Sequence, residues 1–230
     1  MLTTPSAHSQ TSPTLPQVIF LDAVGTLFGV KGSVGEVYRD IARRFGVEVR
    51  AATLNQAFFQ SFRAAGNPAF PGIHDLAEIQ AKELDWWLTI AIQTFKQAGA
   101  FHQFSNFGEF FADLYAHFAT AEPWMVYSDV RPTLEHWQKL GIQLGIVSNF
   151  DSRIYSVVRS LDLADFFSSV TISTEVGAAK PDPKIFAIAL QKYQCSPDLA
   201  WHIGDSYEED YQAAQAAGLR GIWMRRKDKG

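Results

Sequence analysis

Asp22 closes the apolar run Val18-Ile19-Phe20-Leu21 and is followed by Ala23-Val24-Gly25-Thr26-Leu27, a pattern that delivers a carboxylate from a strand into a tight turn. Three later runs end in related chemistry. Ser148 and Asn149 follow Ile146-Val147, Lys180 follows a third run and a short loop, and Asp205 and Ser206 follow Ile203-Gly204. One polar residue after a strand is ordinary, because loops are polar. Two acids, small hydroxyls, an amide and a lysine at one sheet edge make a set suited to attack on an electron-poor, negatively charged centre. Asp22 has the chemistry of a nucleophile that forms a covalent intermediate. Thr26, Ser148, Asn149 and Lys180 are suited to neutralise anionic oxygens, Lys180 with a formal charge. Asp22 and Asp205 would repel each other unless a cation lay between them, and a hard, oxygen-preferring ion such as Mg2+ answers that need. A helix N-cap also accounts for Asp205 and is compatible with metal binding.

The elements that must position these residues are legible. Beyond residue 130, strand-length apolar runs at 143–147, 169–173, 200–203 and 219–224 alternate with helical periods at 131–140, 152–161, 183–193 and 208–217. This is the pattern of an α/β, doubly wound parallel sheet, whose ligands sit beyond the strands' carboxyl ends. Between Lys31 and Trp124 the pattern becomes helical, with helices expected at 33–45, 51–65, 75–99 and 106–120. The spacing of Ser33 and Glu36 is that of a capping box. We therefore expect a catalytic core at 17–30 and 125–230, interrupted by an all-helical cap at 31–124 that covers the carboxyl edge. Its many aromatics, among them Phe58, Phe59, Phe62, Trp86, Trp87, Phe110 and Phe111, read as the cap's own core.

At 230 residues the chain has room for both parts, and its one cysteine, Cys195, forms no internal disulfide. A reducing, cytoplasmic setting is the expectation. A net charge of −4 with mixed signs gives no broad attraction to nucleic acid or to a membrane surface, so an anionic small molecule must be held by local charges or a metal. No apolar stretch reaches membrane-spanning length. Residues 1–16 read as a disordered tail and the closing Arg225-Arg226-Lys227-Asp228-Lys229 as a solvated run. A monomer or homodimer fits the composition equally.

In order and type, Asp22-Ala23-Val24-Gly25-Thr26, Ser148-Asn149, Lys180-Pro181-Asp182-Pro183 and Gly204-Asp205-Ser206 through Asp210 resemble the four motifs of the haloacid dehalogenase-like hydrolase superfamily. The insertion after the first motif resembles its helical cap of the first type. Trp86-Trp87 and Ser148-Asn149-Phe150-Asp151 resemble the branch of haloacid dehalogenase-like hydrolase domain-containing protein 3. The resemblance implies Asp22 as nucleophile, Thr26 and Ser148 as phosphate-oxygen donors, and Lys180 as the charge that steadies nucleophile and substrate. It implies a Mg2+ site of Asp22, the Val24 carbonyl and Asp205, with Asp210 supporting the lysine and the metal shell.

Where the family usually has a second aspartate, this chain has Val24, which keeps the carbonyl and lacks a proton. General acid–base catalysis typically contributes about 10²–10⁴-fold, so its loss slows phosphate chemistry without abolishing it. The favoured expectation is a Mg2+-dependent phosphatase of a small phosphorylated metabolite, with Glu36, Arg39 or His74 as candidate cap residues near the site. A 2-haloacid dehalogenase is the alternative, because halide departs without a proton, although Asp205 argues against it. A catalytically impaired phosphate- or metal-binding protein is the third reading. A phosphonate-cleaving enzyme, which would need a reactive cap lysine such as Lys82, ranks lower.

Overall fold

The computed structural model describes residues 15–226, so nearly all of the expected tail and the end of the basic run lie outside the described residues. β1 (Val18–Leu21) is buried along its whole length. Ile19 and Leu21 pack on one side with Leu144, Ile146 and Ile172, whereas Val18 and Phe20 pack on the other with Val147, Ile185 and Phe186. A strand covered on both faces carries an unbroken apolar run, and this one does.

After the Asp22 turn come β2 (Phe28–Val30), then α1 (Val34–Arg44), α2 (Ala51–Ala65), α3 (Leu76–Gln97) and α4 (Phe107–His117), before β3 (Trp124–Val126). There follow α5 (Val130–Lys139), β4 (Gln143–Ser148), α6 (Ile154–Ser160), β5 (Ser169–Ile172) and the short α7 (Ser173–Val176). α8 (Pro183–Tyr193), β6 (Ala200–Gly204), a π-helical segment Tyr207–Gln212, α9 (Ala213–Ala216) and β7 (Arg220–Trp223) complete the order. The sheet is parallel throughout, in the order β5-β4-β1-β6-β7. Leu21 stands opposite both Ile146 and Ile203, so Asp22 emerges level with the ends of its two neighbours.

Helices α1 to α4 enclose a core of their own around Tyr38, Ile41, Leu54, Ile90, Phe95 and Phe110. The capping box is present: Ser33 Oγ accepts from the Glu36 N–H, and the Glu36 carboxylate accepts from the Ser33 N–H at 2.8 Å. Two features depart from the sequence reading. The expected helix at 208–217 is divided into the π-helical segment and α9, and the three-residue strands β2 and β3 pair antiparallel, Phe28 with Val126 and Val30 with Trp124. The Lys31 N–H donates to the Pro123 carbonyl at 2.8 Å just beyond that ribbon. Nor is the closing basic run simply solvated. Arg226 pairs with Asp129 at 2.7 Å, donates to the Thr26 carbonyl at 2.5 Å and lies 3.7 Å from the centre of the Tyr127 ring. Among the described residues no helix is long and apolar enough to cross a membrane.

Candidate active site

Asp22 leaves β1 with its N–H donating to the Ile203 carbonyl at 3.0 Å, and the chain then turns at Gly25, where φ is +90°. A Cβ on Gly25 would meet Asp205 Oδ2 at 2.5 Å. Glycine is thus required twice, for the backbone angle and for the approach of the Asp205 carboxylate. Asp22, Asp205 and Asp210 each bring a ligand atom within 4.8 Å of the others, an all-oxygen acidic cluster able to hold a hard metal ion.

Lys180 is 2% exposed, and its ammonium donates to Asp22 Oδ1 at 2.8 Å and to Asp210 Oδ1 at 2.5 Å. Ser148 Oγ donates to the same Asp22 oxygen at 2.9 Å. Burial pushes the Asp22 carboxyl up and Lys180 pulls it back, while Asp210 and Asp205 push it up again, leaving it at about 6. Burial disfavours the charged Lys180 as well, yet Asp22 and Asp210 together hold its ammonium above the usual lysine range. Asp210 is held well below the carboxylate range against its own burial, first by Lys180 and then by His202.

Two residues, Asn149 and Thr26, sit differently from their sequence assignments, and a third, Asp210, carries more partners than expected. Asn149, expected to face an anionic oxygen, spends both ends of its amide elsewhere. Its Oδ1 accepts from the Lys180 N–H at 2.7 Å, and its Nδ2 donates to the Lys180 carbonyl at 2.9 Å and to Glu209 at 3.3 Å. The reason is that buried peptide groups in a loop must find partners, and an amide supplies donor and acceptor together. Thr26 is 1% exposed with its hydroxyl unpartnered, and it lines a small pocket with Leu21, Asp129 and Arg226 instead of the main cleft. The tight turn, with Thr26 N–H and Leu27 N–H both donating to the Ala23 carbonyl, tucks it beneath the loop. Asp210, expected to support the lysine and the metal shell, does meet Lys180 and stands in the acidic cluster, with both oxygens also engaged by protein donors. Oδ1 meets Lys180 and, at 2.9 Å, His202 Nε2, while Oδ2 accepts from the Ser206 N–H at 2.9 Å. The π-helical segment brings this carboxylate against Gly204, where a Cβ would collide with it.

Over the site lies a cavity of about 630 Å³, with Val24, Gly25, Asn149 and Asp205 on the core side. Its cap side includes Phe58, Phe59, Phe62, Trp86, Trp87 and Phe111, so these rings line a cleft as well as pack; Phe110 remains wholly in the cap core. Glu36, Arg39, His74 and Lys82 are not among the lining residues. Glu36 instead serves the capping box, and Arg39 pairs with Asp40 at 2.7 Å. Polar groups that join cap to core escaped the sequence reading. Glu83, 1% exposed, accepts from the Ser152 N–H at 3.0 Å, the Ser152 hydroxyl at 2.5 Å and the Thr174 hydroxyl at 2.6 Å. Trp87 Nε1 donates to Asp151 at 2.7 Å, and Asn67 donates to the Lys180 carbonyl at 3.0 Å and to Glu209 at 2.9 Å. His202, buried and partnered by Asp210, was also missed; its position inside an apolar strand was the available signal.

The sequence profile of haloacid dehalogenase-like hydrolases matches residues 16–218, nearly the whole described chain. The chain belongs to the haloacid dehalogenase-like hydrolase family. Haloacid dehalogenase-like hydrolase domain-containing protein 3 of Bos taurus is 37% identical over 201 residues, which cover 86% of this chain and 77% of that protein. Among solved structures, the haloacid dehalogenase-like phosphatase of Thermococcus onnurineus is similar with a TM-score of 0.59 and 24% identity, covering 93% of this chain and 89% of that one. The L-2-haloacid dehalogenase of Xanthobacter autotrophicus with chloropropionic acid covalently bound has a TM-score of 0.64 and 18% identity, covering 89% and 76%. Both structural likenesses establish the fold of this hydrolase: an α/β parallel sheet with an inserted helical segment.

Proposed function

We propose that this hydrolase is a Mg2+-dependent phosphatase acting through a phosphorylated Asp22. The observation that carries the reading is the approach of Asp205 to Gly25 beside the nucleophile, because a second carboxylate there serves a cation and would repel an anionic substrate in its absence. Asp22, Asp205 and the Val24 carbonyl would hold Mg2+, which when bound offsets the charge of the phosphoryl oxygens. Asp22 Oδ2 is the attacking atom, since Oδ1 is fixed by Lys180 and Ser148. As negative charge moves onto the phosphoryl group, Lys180 and the Ser148 hydroxyl are placed to neutralise it. Asn149 positions Lys180 through its backbone, and Asp210 with His202 keeps the ammonium charged. Hydrolysis of the acyl phosphate by water then restores Asp22.

Val24 favours the second reading, a 2-haloacid dehalogenase, because halide needs no proton. Such a substrate also needs a cation for its carboxylate, and the one cationic side chain lining the cavity among the described residues, Arg153, is already bidentate on Asp151 at 2.8 and 2.7 Å. Phosphate monoesters and 2-haloacids, assayed in parallel with Mg2+ and with chelator, separate the readings. Phosphate release that requires Mg2+ is the expected result. Halide release that survives chelation would establish the dehalogenase, and silence in both assays a binding protein without turnover.

A further inference from the structure

From the cavity and from position 24 together we infer that the substrate is a low-molecular-weight aryl phosphate monoester, with an aromatic, uncharged leaving group. This rests on the phosphatase reading and deepens it. The first observation is the wall. The cap side of the cavity carries the rings of Phe58, Phe59, Phe62, Trp86, Trp87 and Phe111, and its core side carries Val24, Gly25 and Asp205. Many of these rings meet each other edge to face or tilted, as in Trp86 with Trp87 at 4.7 Å between centroids, a geometry into which a further flat ring fits. The volume of about 630 Å³ is that of a pocket for a small ligand.

The second observation is charge. Arg153 lines the cavity, but its guanidinium is spent on Asp151 and on the Tyr115 carbonyl at 3.3 Å, and the rings of Trp87 and Tyr115 cover it at 4.9 and 4.0 Å. A leaving group carrying its own carboxylate or second phosphate would be desolvated here without a counter-charge. An uncharged ring meets no such cost.

The third is independent of the first two. Val24 is 37% exposed at the floor of the same cavity and has no proton to give. In the transfer step, Asp22 Oδ2 forms a bond to phosphorus while the bond from phosphorus to the ester oxygen breaks, and the electron pair leaves on that oxygen. A simple alkoxide, with a conjugate acid near the pKa of water at about 16, needs protonation as it departs; an aryl oxide, near the tyrosine value of about 10, leaves as the anion and takes its proton from water afterwards. No histidine lines the cavity among the described residues, and burial makes the Tyr38 and Tyr115 hydroxyls weaker acids than a free tyrosine. Missing acid and aromatic wall select the same ester.

The test is kcat/KM with Mg2+ for propyl phosphate, phenyl phosphate, 1-naphthyl phosphate and a phosphotyrosyl peptide. We expect 1-naphthyl phosphate to exceed propyl phosphate by at least about 10²-fold, the lower range of what an acid catalyst contributes. Phe59→Gln should lower that ratio several-fold; Phe59 is 43% exposed, so the fold tolerates the change. Val24→Asp should also narrow the ratio, by raising the alkyl ester. Equal rates for alkyl and aryl esters would overturn the inference and leave the phosphatase reading standing. Phosphate release from none of them would overturn the phosphatase reading itself. A peptide turned over as well as 1-naphthyl phosphate would overturn the restriction to small molecules.

Discussion

Glu83→Leu tests the join between cap and core. The carboxylate lies at 1% exposure on α3 and accepts three hydrogen bonds, two from Ser152 and one from Thr174, both on the core side. Leucine keeps most of the volume and removes the acceptor. Thr174 retains the Phe150 carbonyl at 3.4 Å as an alternative, but the Ser152 amide and hydroxyl lose their partner together. Hydrogen bonds to a charged acceptor are worth about 1.5–3 kcal/mol each, and relief of the buried carboxylate returns part of that. A net loss of about 2–4 kcal/mol follows, or about 5–15 °C in Tm for a chain of this size, readable by scanning calorimetry at pH 7.5. Glu83→Gln, which keeps the shape and one acceptor, serves as the comparison. Burial raises the Glu83 pKa above 4.5 despite its hydrogen bonds, so the folded protein binds that proton more tightly than the unfolded chain. Its contribution is therefore most favourable below 4.5 and declines as pH rises through the folded value, whereas glutamine does not titrate. The Tm of wild type minus that of Glu83→Gln should fall with rising pH from about 4.5 upward. A leucine variant within 1 °C of wild type would refute the energetic argument, and a difference flat in pH would refute the electrostatic part.

Asp22→Asn should abolish turnover with the near-UV circular dichroism unchanged; wild-type activity would remove Asp22 from the nucleophile's role. Val24→Asp should raise kcat for propyl phosphate by about 10²–10⁴-fold, and no gain in a folded variant would mean that the site already has a proton donor. Asn149→Ala leaves the Lys180 N–H and carbonyl without their amide partner, so a loss of about 1–3 kcal/mol in urea unfolding and a fall in kcat larger than any rise in KM are expected. If KM alone responds, Asn149 touches substrate after all.

Elements covered on both faces, or with strong local signals, are legible in the sequence. β1 reads as a strand because both cores hold it, and α2 and α8 begin and end where their periodicity, and for α8 Pro183 at its first turn, place them. The ribbon was not legible, since Val30 and Trp124 are far apart in sequence and three residues give too short a pattern. The set of site residues was legible by type, because Asp22, Ser148, Lys180 and Asp205 follow apolar runs. Direction within the set was not. Thr26 and Asn149 have side chains equally able to face a ligand or a neighbouring peptide, and loop packing decided between them. The aromatic residues of the cap do form its core as expected, but their second role was hidden for a related reason: packing and lining are different faces of the same ring, and Phe58 and Phe111 belong to both the core and the cavity.

The pairing of Val30 with Trp124 sets the two ends of the inserted helices side by side. Opposed residues of an antiparallel pair lie about 5 Å apart between Cα atoms, a gap that a two-residue type I′ turn such as Asn-Gly spans. Residues 31–123 are therefore excisable in geometry: β2 and β3 would close as an ordinary hairpin and the parallel sheet and acidic cluster would remain, while Ser152, Thr174 and the Lys180 carbonyl lose their cap partners Glu83 and Asn67. The resulting miniature would retain Asp22, Lys180 and Asp205 while losing the aromatic chamber, so on the phosphatase reading it would separate selectivity from bond-breaking in one polypeptide.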